Sequence, residues 1–269
     1  MLAELLEYLT TPASRLARSM GFLKSSIQVR ARFHRCRHHW QPHLENTRAL
    51  ILKAASLCRS RRKVVLLGGG LLHDIPLAEL SRLFEKVVLV DIVHPISSRI
   101  TAWPYKNVQQ ISLDITDVMA HLPSSKASGP IALPISAPQF FCDDSVLDLT
   151  VSVNLLSQLG WVSGQRLEKL VSPEQLETFQ HQLISAHLDY LTRLPGHTAL
   201  ITDAEWSRTT TDGILCERWS VIQNTALPAP EQEWIWDIAP APERESTHDY
   251  SAKVLAYSDW KTASHSSNL

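Results

Sequence analysis

The sequence predicts an α/β protein whose sheet is doubly wound and mainly parallel, and three observations lead to this class. Short apolar runs recur along the chain, acidic or polar residues end several of them, and helix-like stretches separate one run from the next. Strands that alternate with helices in this way pack as a parallel sheet with helices on both faces. With 269 residues, of which 44% are hydrophobic, the chain is long enough to bury such a core.

A glycine cluster directly follows the first apolar run: Gly68, Gly69 and Gly70. The second apolar run ends in an acid, Asp91. Glycines between a strand and a helix let the backbone approach a ligand, and a carboxylate at the tip of the next strand accepts hydrogen bonds from ribose hydroxyls. The pattern therefore predicts a pocket for a cofactor that contains adenosine.

The spacing of this cluster separates two kinds of cofactor. Asp91 lies 21 positions after Gly70, about the distance in the dinucleotide fingerprint, but His73 stands where that fingerprint has its third glycine. The glycine loop instead resembles the first motif of class I S-adenosylmethionine-dependent methyltransferases, with Asp91 at the position of their ribose-binding acid. Two positions depart from that motif, because Leu66 replaces its acid and Leu72 replaces its last glycine.

The order of the later segments extends this resemblance over roughly residues 60 to 260. A third apolar run ends at Asp114, where the family places a residue beside the adenine, and a fourth run leads through Asn154 into the loop that faces the methyl group. A helical segment from Pro173 to Leu194 then precedes a fifth run. The resemblance implies a seven-stranded, methyltransferase-like Rossmann sheet with closing antiparallel strands and S-adenosyl-L-methionine as cofactor.

Three parts of the chain are expected. Residues 1–60 are predicted to be a basic helical N-terminal extension or lid, residues 61–261 the Rossmann-like cofactor-binding domain, and residues 262–269 a disordered tail. The proline-rich segment 123–139 indicates a loop insertion before the fourth strand.

Each cofactor residue also has a purely structural interpretation. The three glycines would permit close packing of a strand against a helix, while Asp91 and Asp114 would cap turns at strand ends. In this order, and each after a predicted strand, these residues and Asn154 together favour a cofactor site.

Asn154 and His73 are the candidate catalytic residues. Methyl transfer needs the acceptor positioned against the sulfonium, and an amine or hydroxyl acceptor must also lose a proton. The resemblance places Asn154 toward the acceptor, and His73 and Asp74, just past the glycine loop, are candidates for a base or a cofactor contact. A surface histidine at a helix start is the alternative for His73. The sequence after Asn154 lacks the Asn-Pro-Pro-Tyr-like signature of nucleic-acid amino methylation, which favours a small-molecule acceptor.

The N-terminal part of the chain is strongly basic. Residues 1–63 contain 13 Lys or Arg and 3 Asp or Glu, although the whole chain has a net charge of −1. The densest run supplies the candidate substrate-binding residues: Arg30, Arg32, Arg35, Arg37 and Trp40. Guanidinium groups beside a stacking surface suit a carboxylate or phosphate, so the run predicts a lid over a small anionic acceptor. A solvated helix face is the alternative, and the histidines of this run lack the nearby carboxylate or thiol that a metal site requires.

Two other function classes stay open. An NAD(P)-dependent oxidoreductase would use the same glycine loop, and a non-catalytic methyltransferase-fold protein would bind RNA or a protein partner through its basic N-terminus. No apolar run approaches the ~20 residues that span a bilayer, and the four cysteines form no C-x-x-C pair. The N-terminus also lacks the basic region of a secretory signal. We therefore expect a cytoplasmic protein without a membrane or metal partner, and the sequence leaves its oligomeric state open.

Overall fold

The computed structural model describes residues 2–122, 135 and 138–266. The helices within this part of the chain are α1 (Leu2–Thr10), α2 (Arg15–Ser19), α3 (Phe22–Arg35), α4 (Arg37–Leu57), α5 (Leu77–Leu83), α6 (Ile96–Ala102), α7 (Trp161–Leu167), α8 (Pro173–Arg193) and α9 (Trp260–Ser266). The strands are β1 (Lys63–Leu67), β2 (Lys86–Asp91), β3 (Val108–Ser112), β4 (Leu147–Val153), β5 (His197–Thr210), β6 (Leu215–Ser220), β7 (Gln232–Ala239) and β8 (His248–Tyr257).

The strands form one sheet in the order β3-β2-β1-β4-β5-β8-β7. Strands β1 to β5 pair in parallel, and β8 runs antiparallel to both β5 and β7. The predicted fold class, a doubly wound and mainly parallel sheet preceded by helices, is confirmed. The sheet also has an eighth strand beyond the predicted seven, because β5 continues to Thr210 and the chain turns at Gly213, with φ +85°, to pair β6 with the outer half of β5.

Helices cover both faces of the sheet because the side chains of its strands alternate. In β1, Val64 and Leu66 belong to the core cluster that α4 helps to form, whereas Val65 and Leu67 pack on the opposite face with α8. Every residue of β4 is buried, as expected for a central parallel strand covered on both sides. The carboxyl ends of β1 to β4 are thereby fixed side by side.

Helices occupy the predicted N-terminal extension, but α4 belongs to the core of the sheet domain. Leu50, Ile51 and Ala54 of this helix are essentially inaccessible to solvent and pack in the same cluster as β1. The boundary placed between residues 60 and 61 stays a prediction, since α4 contributes to the fold that begins after it.

The C-terminal end differs from the disordered tail predicted for residues 262–269. Helix α9 extends to Ser266, because Trp260 is buried against Tyr257 with ring centroids 5.3 Å apart, and the carboxylate of Asp259 accepts the N–H of Thr262 at 3.2 Å. The last three residues and most of the predicted 123–139 insertion lie outside the described residues. In the part of the chain that the structure describes, no helix is long and apolar enough to cross a membrane.

Candidate functional site

A cavity of about 200 Å³ lies at the carboxyl ends of the parallel strands. Gly68 follows β1, Asp91 ends β2, Asp114 follows β3 and Asn154 follows β4, and all four residues line this cavity. The strand order reverses between β1 and β4. In open α/β sheets, ligands bind in the crevice at this reversal point, outside the carboxyl ends of the strands. The cavity therefore occupies the position at which this fold binds ligands.

The three glycines of the loop have different environments. Gly68 has φ +87°, and a Cβ atom there would lie 2.5 Å from the carbonyl oxygen of Val153, so only glycine fits against the end of β4. A Cβ on Gly70 would lie 2.5 Å from Oδ2 of Asp91, whereas one on Gly69 would make ordinary contacts of 3.4 Å or more. Gly68 lines the cavity, while Gly69 and Gly70 do not.

The glycine loop does not lead directly into a helix. Residues 71–76 separate it from α5, which begins at Leu77, and Leu72 within this segment has φ +64°. Dinucleotide-binding sheets place the pyrophosphate on a helix N-terminus immediately after the glycines. That element is absent from the described loop, so the geometry lacks the principal anion site of an NAD(P) enzyme.

Asp91 is fixed by the backbone around it. Its Oδ2 accepts the N–H of Gly70 at 2.9 Å, and its Oδ1 accepts the N–H of Val93 at 3.4 Å. Burial raises the pKa of Asp91 to about 6, although these N–H groups oppose the shift. A carboxylate offers about four lone-pair sites, so Asp91 keeps acceptor capacity for hydroxyl groups of a ligand.

Asp114 uses its carboxylate to shape the loop after β3. Oδ1 accepts from the N–H and hydroxyl of Thr116 at 3.0 and 2.6 Å, and Oδ2 accepts the N–H of Met119 at 2.8 Å. These contacts agree with the interpretation of Asp114 as a residue that caps a turn. The residue also lines the cavity, and its role toward adenine stays a prediction.

Asn154 is the centre of a buried polar cluster at the tip of β4. It is 8% exposed and has φ +47°, and its Nδ2 lies 2.8 Å from Oδ2 of Asp74 and 3.2 Å from Nε2 of His43. The other ring nitrogen of His43, Nδ1, accepts the indole N–H of Trp234 at 3.1 Å. Asn154 Oδ1 is buried without a hydrogen-bond partner among the described residues.

The hydrogen-bond roles in this cluster depend on the charge of Asp74. Because the indole of Trp234 can only donate, His43 carries its proton on Nε2, and burial lowers the pKa of His43 to about 3, so the ring is neutral. If Asp74 is ionised, Nδ2 of Asn154 donates to it and Oδ1 stays free, while Nδ2 also faces the Nε2–H of His43, which then has no acceptor in Asn154. If Asp74 is protonated, a turned carboxamide accepts from both Asp74 and His43 through its oxygen. Such amide orientations are assigned from the hydrogen-bond network, and burial raises the pKa of Asp74 while the contact with Asn154 and the charge of Arg48 oppose the shift.

His73 lies in the wall between the cavity and α3. Its ring stacks on Phe33 with centroids 3.8 Å apart, and its Nε2 is buried without a partner among the described residues. Burial lowers the pKa of His73 to about 4, so the imidazole is neutral at physiological pH. It lines the cavity as predicted, but it is packed against Phe33 rather than exposed at a helix start.

The predicted substrate-binding arginines do not line the cavity. Arg30 pairs with the buried Glu7, and Arg35 binds Glu243 with contacts of 2.6 and 2.7 Å. Arg32 contacts the same carboxylate at 3.3 Å, and Arg37 is exposed. The prediction that these arginines line a lid over an anionic acceptor was wrong, because Glu7 of α1 and Glu243, in the segment after β7, hold three of the four guanidinium groups.

Trp40 does reach the cavity. It is buried, its indole N–H donates to the carbonyl of Ile238 at 3.1 Å, and its ring contacts Trp236 edge-on with centroids 4.9 Å apart. Trp236 in turn stacks on His43 at 3.9 Å and 5°. Trp40 and Trp236 therefore give the cavity an aromatic wall.

Two functional candidates, His43 and Trp236, were missed by the sequence reasoning. His43 stands three positions after Trp40 on one face of α4, which is the available signal, but a histidine on an apolar helix face usually fills a core position. Trp236 comes from β7, and only the sheet order brings it to α4. Within residues 2–122, 135 and 138–266, no group of three His, Cys, Asp or Glu side chains is placed to hold a metal ion.

No protein-family model and no curated protein sequence matches the chain. Among solved structures, the DhpI–SAM–HEP complex is 13% identical, with 90% of this chain and 99% of that chain covered and a TM-score of 0.38. A SAM-dependent methyltransferase of Leishmania major is 13% identical, with 94% and 81% covered and a TM-score of 0.36. Phosphoethanolamine N-methyltransferase 1 of Haemonchus contortus is 14% identical, with 81% and 44% covered and a TM-score of 0.35.

Proposed function

We propose that this protein transfers a methyl group from S-adenosyl-L-methionine to a small molecule. The observation that carries the proposal is the convergence of Gly68, Asp91 and Asn154 in one cavity at the reversal point of the sheet. These are the residues for which the resemblance implies roles in holding and facing this cofactor.

The residues around Asp91 and Asp114 suit an adenosine. Asp91 accepts hydroxyl donors, as a ribose diol offers, and the apolar side chains of Ile92 and Ile115, which also line the cavity, present surface to a purine. S-adenosylmethionine supplies an electrophilic methyl group on a sulfonium sulfur. Asn154 then lies near the acceptor and orients it, which is the main requirement of an in-line displacement.

The two alternative functions have less support from the geometry. The loop before α5 lacks the helix N-terminus that a nicotinamide dinucleotide uses. The basic N-terminus that would bind RNA has several of its charges held internally, including Arg30, Arg32 and Arg35. A small-molecule acceptor and a cytoplasmic location stay predictions.

A thermal-shift panel tests the cofactor. S-adenosylmethionine, S-adenosylhomocysteine, NAD and NADP are added separately, and a ligand bound only by the native state raises the melting temperature by mass action. We expect shifts with the first two compounds. Shifts with the dinucleotides alone would refute the proposal in favour of an oxidoreductase.

Calorimetry on Asp91→Ala then tests the site. Removal of the ribose acceptor is expected to weaken S-adenosylhomocysteine binding by about 1.5–3 kcal/mol, the range for hydrogen bonds to a charged group. Asp189→Ala, an exposed position on α8 outside the cavity, is the matched control and should bind as the wild type does. Unchanged affinity in Asp91→Ala would remove this residue from the site.

A further inference from the structure

The charges of the cavity are all of one sign. Three of the described residues that line it are acidic, Asp74, Asp91 and Asp114, and none is Lys or Arg. A buried ionised carboxylate needs a compensating charge or hydrogen bonds. The cavity is therefore suited to a cationic group.

Asp74 has the least compensation of the three. Asp91 accepts N–H groups from two other residues, and Asp114 accepts N–H groups from two others and a hydroxyl. Asp74 accepts from Asn154 Nδ2 and from its own N–H. Arg48 acts on it only through its charge, because its guanidinium donates to the carbonyl of His73.

A second acceptor lies beside Asp74. When the Asn154 carboxamide donates to the ionised Asp74, its Oδ1 has no partner among the described residues, although Asn154 is 8% exposed and lines the cavity. A primary ammonium has three N–H donors and one positive charge. It would supply both the missing donor for Asn154 and the missing charge for Asp74, next to the aromatic wall of Trp40 and Trp236, which also favours cations.

We propose that Asp74, together with Asn154 Oδ1, binds a primary ammonium group in the cavity. Two molecules of the proposed reaction can carry this group: the cofactor, on its methionine part, and an amine acceptor. The assignment of the ammonium group to one of these two molecules rests on the proposed function, whereas the ammonium site itself is inferred from the residues of the cavity. An amine acceptor would replace the anionic acceptor expected from the arginine run.

The test uses Asp74→Asn, which keeps a hydrogen-bonding side chain of the same size and removes the charge. Calorimetry compares S-adenosylhomocysteine with 5′-methylthioadenosine, which has the same nucleoside and thioether but no amino-acid part. Asp91→Asn is the matched comparison, because loss of a ribose contact should weaken both ligands alike. Circular dichroism and thermal unfolding confirm that each variant is folded.

The second part of the experiment measures the binding of phenethylamine, and of its uncharged analogue 2-phenylethanol, to the protein with and without S-adenosylhomocysteine. If Asp74 holds the cofactor ammonium, Asp74→Asn weakens S-adenosylhomocysteine about 10- to 100-fold and leaves methylthioadenosine unchanged. If it holds the acceptor ammonium, both nucleosides bind normally and only phenethylamine binding is lost.

Two outcomes overturn the proposal: Asp74→Asn binds every probe as the wild type does, or it weakens both nucleosides equally. If the wild type binds neither nucleoside, the proposed function fails by itself. In that case phenethylamine binding to the free protein still tests the ammonium site, because the proposal requires that the wild type binds phenethylamine and that Asp74→Asn does not.

Discussion

Alanine substitution at each glycine of the loop separates a packing role from a ligand role. At Gly68, alanine would adopt a left-handed conformation at a cost of about 1–2 kcal/mol, and its Cβ would meet the carbonyl oxygen of Val153 at 2.5 Å. Relief of that overlap requires β1 and β4 to shift, at about 1–3 kcal/mol. We therefore expect Gly68→Ala to lose about 2–5 kcal/mol of unfolding free energy in urea titrations.

The other two positions should behave differently. Alanine at Gly70 displaces the carboxylate of Asp91, breaks its 2.9 Å bond to the Gly70 N–H and places a Cβ 2.8 Å from the carbonyl oxygen of Val93. We expect S-adenosylhomocysteine affinity to fall about tenfold or more, together with a loss of stability. Gly69→Ala is the matched control, because its Cβ makes only ordinary contacts, and it should change stability by less than about 1 kcal/mol. Equal effects of Gly69→Ala and Gly70→Ala on affinity, or unchanged affinity in Gly70→Ala, would refute this account of the loop.

Three further predictions concern buried histidines and the held arginines. Burial lowers the pKa of His187 to about 4, so between pH 6.5 and 4 the unfolded chain binds more protons than the folded chain, and stability falls as the pH is lowered. In urea titrations across that window, His187→Gln should lose about 3 kcal/mol less unfolding free energy than the wild type. Long-range proton–nitrogen NMR should find the proton of His43 on Nε2, and Trp234→Phe should release this preference while Trp236→Phe keeps it; a proton on Nδ1 in the wild type would contradict the assignment. Glu243→Gln should lower stability by about 1 kcal/mol, and unchanged stability in urea titrations would refute the anchoring role of this carboxylate toward Arg32 and Arg35.

The parallel core was predictable because its signals are local. Strands β2 and β4 flank β1, and the acid or amide at the end of each is adjacent in the chain, so the convergence of Asp91 and Asn154 follows from parallel pairing alone. The position of β6 in the sheet, as an eighth strand beside β5, was not predictable in this way. It depends on how far β5 continues beyond the parallel part of the sheet, which only its partner β8 determines.

The part of the cavity around Asn154 was less accessible to sequence reasoning. Asp74 follows the glycine loop closely and was a candidate, but His43 and Trp236 come from α4 and β7, and their contacts join residues far apart in the chain. The resemblance also directs attention to the position of Leu66, where the family has an acid. In this chain Leu66 is fully buried in the core, and one of the three carboxylates of the cavity, Asp74, stands eight positions later.

The basic N-terminus shows why a charge count along the chain does not locate a binding surface. Its excess of positive charge is opposed by acids elsewhere in the sequence, and folding joins the two: Arg62 binds Asp148, Lys53 binds Glu231, and Arg35 binds Glu243. Each pair ties a residue of the first 63 to a later part of the chain. Since a guanidinium held by a half-buried carboxylate has fewer donors left for a ligand, the run of arginines indicates how α3 and α4 are anchored. Among the described residues that line the cavity, Asn154, His73 and Trp236 keep buried polar atoms without a partner, and none of them belongs to the arginine run.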